Sequence, residues 1–338
     1  MNLDKAHPAC YCRMNYHAKR LSSFKERKEP EMKPAWIFSG QGAQAVGMGR
    51  DLYEASAAAK AVFDEADSVL GFSLSGICFE GPEEKLTSSL YCQSAIYTMS
   101  MACLAAFRER FPDAPAPVAA AGLSLGEYAA FAAAGYFSFA DGLKLVAKRG
   151  ALMDEACRKS HGSMASIIGG NPDVIDSVCR KYDIDVANYN CPGQTVISGP
   201  ADRVEKAAAE IQAAGAKRAI VLKVAGAFHS RMMAEAGEAL RPFLEAVQVS
   251  PLKIPVAQNF TGKLVADEAE IKGNLLSQVA GSVRWESCVR AMIAEKGADT
   301  FIEFGPGSVL TGLVRRTDAA MKLLNVSDAA SLEKLELN

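Results

Sequence analysis

The segment AAAGLSLGEYAAFAAAG, residues 119 to 135, runs from an apolar strand pattern directly into an alanine-rich helix pattern. One serine, Ser124, stands between Gly122 and Gly126 at the GxSxG spacing of a nucleophile elbow. Small residues are needed there, because a sharp strand-to-helix turn brings neighbouring backbones together while it raises the serine oxygen above the sheet. The segment alone is equally compatible with a plain helix N-cap.

Strand and helix patterns alternate on both sides of this segment. The stretch AWIFSG, from residue 35, predicts a buried strand that enters a glycine-rich loop, and helices are predicted over about 92 to 111 and 139 to 158. Between residues 161 and 225 the order is strand, helix, strand, strand, helix, strand. We therefore predict an α/β fold with a mostly parallel sheet and an inserted ferredoxin-like βαββαβ subdomain.

Three regions follow from these patterns. Residues 1–33 are rich in lysine and arginine, with no hydrophobic period and no apolar signal-peptide core, so we expect a disordered extension or a true start at Met32. Residues 34–160 and 226–338 form the expected α/β core, and 161–225 form the subdomain.

Composition excludes several classes of function. A formal net charge of −2 over 338 residues gives no broad attraction to nucleic acid or to an anionic membrane. No uninterrupted apolar run reaches the roughly 18 residues that a membrane span needs. The nine cysteines include no CxxC pair and no histidines at metal-ligand spacing. We expect a cytoplasmic protein with reduced thiols and no metal site.

The glycine loop SGQGAQAVGMG, residues 39 to 49, fails both nucleotide-binding motifs. Ala45 stands where GxGxxG requires its third glycine, and Met48 stands where a phosphate-binding loop requires lysine. Two interpretations stay open: a tight turn without a ligand, or a strand-to-helix turn whose backbone N–H groups approach a ligand oxygen.

A serine nucleophile needs a base, and the chain has only four histidines. His7 and His17 lie in the expected extension, and His161 stands in the polar stretch RKSHGS. His229 follows an apolar strand in KVAGAFHSRMM, where the chain leaves strand for helix. A lone buried histidine is usually a core residue, but if Ser124 is catalytic, His229 is the only well-placed partner.

Arg149 projects from the apolar face of the helix predicted over 139 to 158. At 100° per residue, the side chains within about 60° of Arg149 are mostly apolar; they include Leu145, Val146, Leu152 and Met153. An unpaired guanidinium there would cost several kcal/mol, so Arg149 must meet an anion. That anion is either an internal carboxylate or the carboxylate of a substrate, which the planar fork of arginine suits well.

Six stretches, in order, resemble the malonyl-CoA:acyl-carrier-protein transacylases: FSGQGAQAVGMG, GLSLGEYAAF, KRGALM, ANYNCPGQTVISG, GAFHSRMM and EFGPGSVLTGL. The resemblance runs from about Trp36 to about Leu324. It implies a hydrolase-like core with an inserted ferredoxin-like subdomain and the active site between them. It also implies transfer of malonyl from malonyl-CoA to the phosphopantetheine thiol of holo acyl carrier protein, by a ping-pong serine acyl-enzyme mechanism in fatty-acid synthesis.

The resemblance also implies roles for single residues. It makes Ser124 the nucleophile and His229 the base, with the backbone amides of Gln41 and Leu125 as the oxyanion hole. Arg149 matches the arginine that pairs with the malonyl carboxylate.

Further positions match the lining of the family's pocket. These are Gln93 and Asn190, and also Phe228, which resembles malonyl-selective members. A backbone carbonyl orients the histidine in this family, and the stretch AQNF around Gln258 and Asn259 occupies that part of the pattern.

One residue departs from the family pattern GHSLGE, since Leu123 stands in place of the histidine. We expect altered local packing there with catalysis retained. Malonyl-CoA and the carrier protein are the expected partners of a monomer, with no bound cofactor or metal and no nucleic acid or membrane. The alternatives are an acyltransferase acting in trans for a polyketide synthase, a serine esterase or thioesterase, and a catalytically idle module that binds carrier protein.

Overall fold

A computed structural model of the chain describes residues 32–337, so the expected extension lies outside the described residues except for its last two positions. The strands β1 to β10 are, in chain order, Pro34–Phe38, Ala119–Gly122, Gly162–Ile168, Asp185–Cys191, Gln194–Pro200, Arg218–Val221, Ala257–Gln258, Lys263–Leu264, Thr300–Phe304 and Lys322–Val326. The helices α1 to α14 are Arg50–Ala55, Ala57–Leu70, Leu74–Glu80, Glu83–Thr87, Ser89–Arg110, Gly126–Ala133, Phe139–Lys159, Pro172–Tyr182, Ala201–Ala213, Ala234–Ala246, Ile271–Ala280, Trp285–Lys296, Val309–Thr317 and Ala329–Glu333. Short 3₁₀ turns cover Arg231–Met233 and Glu268–Glu270.

The main sheet has the strand order β10-β9-β1-β2, and all three pairings are parallel. Its strand β1 is buried along its whole length, because hydrophobic clusters cover both faces of the sheet. Trp36 and Phe38 point into the larger cluster, and Ala35 and Ile37 point into the other. The α/β fold with a mostly parallel sheet, predicted from alternating strands and helices, is therefore confirmed.

A second sheet is formed by β3 to β6, in the order β4-β5-β3-β6 with antiparallel pairing throughout. Helices α8 and α9 cover one of its faces, in a hydrophobic cluster separate from those of the main sheet. Side chains of β3 alternate between the two faces, as in any strand. Ala165 and Ile167 pack under the helices, so Met164 and Ser166 are left on the opposite face.

Helix α5 forms part of the core of the molecule. It is the one helix among residues 32–337 that is long and apolar enough to cross a membrane by length and composition, and 78% of its most apolar window is buried. It packs against α2 and α7. Its bounds and those of α7 agree closely with the two helices predicted from periodicity.

The turn between β2 and α6 depends on the absence of side chains at two glycines. A Cβ atom on Gly126 would lie 2.2 Å from the carbonyl oxygen of Phe38, and one on Gly122 would lie 2.0 Å from the carbonyl carbon of Gly126. Between them Ser124 has a φ of 54°, a left-handed conformation that non-glycine residues rarely adopt. The elbow is therefore packed directly against the end of β1.

We expect Gly126→Ala to lower the free energy of unfolding by at least about 2 kcal/mol, because its methyl group would collide with the backbone of β1. The matched control is Gly312→Ala inside α13, where an added Cβ meets nothing within 4 Å. That change should be neutral or stabilising by up to about 1 kcal/mol. Urea denaturation measures both values, and equal stability of the two variants would contradict the steric account of the elbow.

Candidate active site

The structure brings Ser124 and His229 into hydrogen-bonding contact across 105 residues of sequence. Ser124 stands on the elbow between β2 and α6, and His229 stands in the connection between β6 and α10. The serine Oγ lies 2.7 Å from the imidazole Nε2. His229 also has a left-handed backbone, with a φ of 56°. Two strained backbone positions thus meet at one hydrogen bond, an arrangement typical of functional sites.

The other ring nitrogen of His229 determines the tautomer. Nδ1 lies 2.8 Å from the backbone carbonyl oxygen of Gln278, which can only accept a hydrogen bond. Nδ1 therefore carries the proton and Nε2 is free to accept one from Ser124. Gln278 lies in the last turn of α11, where carbonyl groups have no intrahelical partner, so its oxygen is available to the imidazole.

This contact corrects the expectation that the stretch around Gln258 and Asn259 orients the histidine. Asn259 instead fixes the elbow, because its Oδ1 accepts from the amide of Ser124 at 2.6 Å and its Nδ2 donates to the carbonyl of Gly122 at 2.8 Å. The sequence offered no signal for Gln278, because a glutamine near the end of a short helix has no distinguishing pattern.

Burial sets the protonation state of His229. His229 is 5% exposed, and burial together with the positive charge of Arg149 lowers its pKa to about 4. Hydrogen bonds to Gln278 and Gly281 act in the opposite direction but are the smaller causes. The imidazole is therefore neutral at neutral pH, as a general base must be.

The guanidinium of Arg149 is buried beside the serine. One terminal nitrogen donates to Gln93 Oε1 at 2.6 Å, and the other donates to Gln278 Oε1 and to Ser124 Oγ, both at 3.0 Å. Its Nε has no hydrogen-bond partner among residues 32–337, and the guanidinium lies over the ring of Tyr128. No carboxylate in the described part of the chain forms a direct ion pair with it, so a contact between Arg149 and an internal carboxylate is excluded, although the buried Glu127 attracts it electrostatically.

A cavity of about 550 Å³ opens between the elbow and the second sheet. Six of the residues expected in the site line it: Gln41, Ser124, Arg149, Asn190, Phe228 and His229. The face of the second sheet that α8 and α9 leave free supplies the opposite wall, with polar and apolar side chains that include Met164, Ser166, Asn188, Asn190 and Val196. The site therefore lies between the two sheets.

Of the three further residues expected to line the pocket, two line the cavity and one does not. Asn190 and Phe228 line the cavity, and the Oδ1 atom of Asn190 is buried with no hydrogen-bond partner in the described part of the chain. Gln93 does not line it, contrary to expectation. It is 1% exposed and lies behind Arg149, with its amide nitrogen 3.5 Å from the sulfur of Met153. The side chain of Gln93 holds the arginine by accepting a hydrogen bond from it, and the packing of α5 against α7 brings the two residues together.

The two expected oxyanion donors remain a prediction. Leu125 is the N-cap residue of α6 and Gln41 lies in the glycine loop. Neither backbone amide has a hydrogen-bond acceptor among the described residues. The N-terminus of α6 adds a favourable dipole for a developing negative charge.

The described residues contain no cluster of three or more histidine, cysteine or acidic side chains able to hold a metal. The seven cysteines within 32–337 are all buried and unpaired, and Cys10 and Cys12 lie outside this range. Burial raises the pKa of the Cys92 thiol, which is next to Gln93, to about 12, so it is not a competing nucleophile.

Comparison with known proteins identifies relatives over nearly the whole described chain. The acyl transferase domain family matches residues 35–337. The malonyl CoA-acyl carrier protein transacylase of Bacillus subtilis strain 168 is 43% identical over 306 residues, which cover 89% of this chain and 95% of that protein.

Solved structures agree with this match. A malonyl-transacylase in complex with its type II polyketide synthase acyl-carrier protein superposes with a TM-score of 0.85 at 37% identity, covering 89% of this chain and 98% of that one. The malonyl CoA-acyl carrier protein transacylase of Clostridium perfringens gives a TM-score of 0.85 at 38% identity, covering 89% and 95%.

We expect the imidazole of His229 to titrate near pH 4 rather than near its ordinary value of 6.5, because burial and Arg149 both disfavour the imidazolium. A ¹H–¹⁵N NMR titration measures this, with the His229 signals assigned by their loss in His229→Ala. Titration at or above pH 6.5 would show that the imidazole is not buried beside the guanidinium as described.

Proposed function

Because this chain belongs to the acyl transferase domain family, we propose that it transfers the malonyl group from malonyl-CoA to the phosphopantetheine thiol of a holo acyl carrier protein. The observation that carries the proposal is a buried guanidinium that donates a hydrogen bond to a serine and has no directly bound carboxylate among residues 32–337. The same serine is hydrogen-bonded to a neutral histidine. Malonyl-CoA has the two groups that this arrangement needs: a thioester for the serine and a carboxylate for the arginine.

The first half-reaction loads the serine. Nε2 of His229 takes the proton from Ser124, and Oγ attacks the thioester carbon of malonyl-CoA. The amides of Gln41 and Leu125 stabilise the oxyanion that forms. The carbon–sulfur bond then breaks, the proton on His229 passes to the CoA sulfur, and malonyl remains on Ser124 as an oxygen ester.

The second half-reaction repeats these steps with a different thiol. CoA leaves the cavity and the phosphopantetheine thiol of the carrier protein enters. His229 takes the thiol proton, the sulfur attacks the malonyl ester, and the proton returns to Ser124 as the carbon–oxygen bond breaks. No redox or metal chemistry enters either balance.

Arg149 selects the acyl group by its distance from the nucleophile. Its NH2 nitrogen lies 3.0 Å from Ser124 Oγ, and a single methylene separates the carboxylate of malonyl from its thioester carbon. A short acyl group can therefore reach both side chains at once. A simple esterase would have no use for a buried cation at this position, which favours malonyl transfer over hydrolysis of neutral esters.

We also propose that residues 161–225 form a ferredoxin-like subdomain inserted in a hydrolase-like core over 34–160 and 226–338. The strand order β4-β5-β3-β6, its antiparallel pairing and the two helices on one face support this assignment. Its function is to close the cavity opposite the serine. The proposed product supplies extender units for fatty-acid synthesis, and a polyketide carrier protein is the alternative acceptor, as in the solved complex.

Brief incubation with malonyl-CoA should add one malonyl group to the intact mass of the protein. Ser124→Ala should abolish the adduct, because the ester forms on Oγ. Ser163→Ala on β3, outside the cavity lining, is the control and should keep it. Lack of an adduct on the unaltered chain, or its persistence in Ser124→Ala, would exclude the proposed mechanism.

Arg149→Ala should reduce kcat/KM for malonyl-CoA by at least about 30-fold, because the malonyl carboxylate would be buried without its partner. Acetyl-CoA has no carboxylate, so its slower reaction should lose much less or gain. Lys144→Ala, exposed on the same helix, is the control and should leave both values unchanged. Equal losses for the two donors in Arg149→Ala would exclude the clamp.

A further inference from the structure

A second buried ionisable group, the carboxyl group of Glu127, lies beneath the proposed site and has no part in the steps above. It stands in the first turn of α6, three residues after Ser124, and is fully buried. It accepts hydrogen bonds from the side-chain amide of Gln278 at 2.7 Å, the backbone amide of Asn259 at 3.2 Å and the side-chain amide of Gln258 at 3.3 Å. All three partners are donors, so this position requires a side chain that only accepts.

The side-chain amide of Gln278 has one orientation because of these contacts. Its Nε2 lies 2.8 Å from the carbonyl of Ser124 and 2.7 Å from Glu127, and both are acceptors. The amide nitrogen must therefore face them, which turns Oε1 towards Arg149, 3.0 Å away. The backbone carbonyl of the same glutamine holds His229. One residue thus contacts the nucleophile, the base and the cation.

A buried guanidinium needs negative charge nearby, yet a carboxylate in direct contact would occupy the fork that the substrate needs. Arg149 is held instead by the neutral oxygens of Gln93 and Gln278, and Glu127 lies one residue further away. The electrostatic attraction between Arg149 and Glu127 acts on both groups. This arrangement supplies the counter-charge and leaves the arginine able to bind a second anion.

We propose that Glu127 is a positioning residue for acyl-group selection: its carboxylate orients the Gln278 amide so that Arg149 meets an amide oxygen and stays open to the substrate carboxylate. The inference rests on the proposed malonyl transfer and deepens it. It assigns the selectivity for a carboxylated acyl group to a chain of three residues, Glu127, Gln278 and Arg149, rather than to the arginine alone.

Glu127→Gln tests this directly, because it removes the negative charge and replaces one of the two acceptor oxygens by an NH2 group. That group would face the Gln258 donor at the Oε1 position, or the Asn259 and Gln278 donors at the Oε2 position, so the acceptor that orients the Gln278 amide is weakened or lost. Burial raises the pKa of Glu127 to about 7, so the assays are run above about pH 8, where the carboxylate is ionised. We expect the ratio of kcat/KM for malonyl-CoA to that for acetyl-CoA to fall by at least about fivefold. Gln278→Met, which keeps the length of the side chain but removes its amide, should lower the ratio similarly.

The double variant distinguishes a shared route from two separate effects. If Glu127 acts through Gln278, then Glu127→Gln should change the ratio little further in the Gln278→Met background. Glu303→Gln is the matched control, because Glu303 is also a fully buried carboxylate held by backbone amides, those of Leu310 and Thr311, but contacts neither Gln278 nor Arg149. It should leave the ratio unchanged even where it lowers stability.

The outcomes separate this inference from the function on which it rests. If the unaltered chain forms no malonyl-serine adduct, the proposed function fails first. If the unaltered chain forms the adduct but Glu127→Gln keeps the original ratio of kcat/KM values, the positioning role is wrong. It is also wrong if the fold-decrease of this ratio in the double variant equals the product of the two single-variant decreases. Should Glu127→Gln not fold, an unchanged ratio in Gln278→Met alone overturns the inference, because the amide oxygen of Gln278 is its necessary link.

Discussion

The burial of one guanidinium constrains much of this structure. Arg149 is 1% exposed on α7, and taking it out of water requires hydrogen-bond acceptors at both of its terminal nitrogens. Helix α5 supplies Gln93, helix α11 supplies Gln278, and the elbow supplies Ser124. These three elements, which are distant in sequence, must therefore meet around the guanidinium of Arg149. The cavity lies where they meet.

The same convergence explains how a serine–histidine pair can work without an adjacent acid. A carboxylate on Nδ1 of His229 would favour the imidazolium and would place another full charge in a buried site. A helix C-terminal carbonyl fixes the tautomer equally well and adds no full charge. The internal carboxyl group lies instead at Glu127, where its two oxygens accept hydrogen bonds from three amide donors. The backbone carbonyl of Gln278 thus orients the imidazole, whereas Glu127 compensates the charge of Arg149.

The sequence predicts those site residues whose pattern lies within their own segment, and it misses those whose role depends on residues distant in sequence. The elbow around Ser124 and the buried face of Arg149 follow from spacing and helical periodicity, and both are local patterns. His229 followed from elimination among four histidines. The roles of Gln278 and Gln93 could not be found in this way, because an uncharged amide gains its function only from tertiary neighbours. Glu127 did leave a signal, as the one charged residue in an apolar segment, but local pattern could not identify its partners.

Leu123, the position that departs from the family pattern, is explained by the packing of the glycine loop. Its side chain lines the cavity and also packs on the smaller cluster of the main sheet. A Cβ atom on Gly40 would lie 3.3 Å from the side chain of Leu123 and 2.7 Å from its carbonyl oxygen, so loop and elbow are in direct contact here. Gln41, whose amide is a proposed oxyanion donor, follows Gly40 immediately. The side chain at position 123 therefore packs against the loop that carries Gln41, and this contact requires neither a proton nor a hydrogen bond from that position.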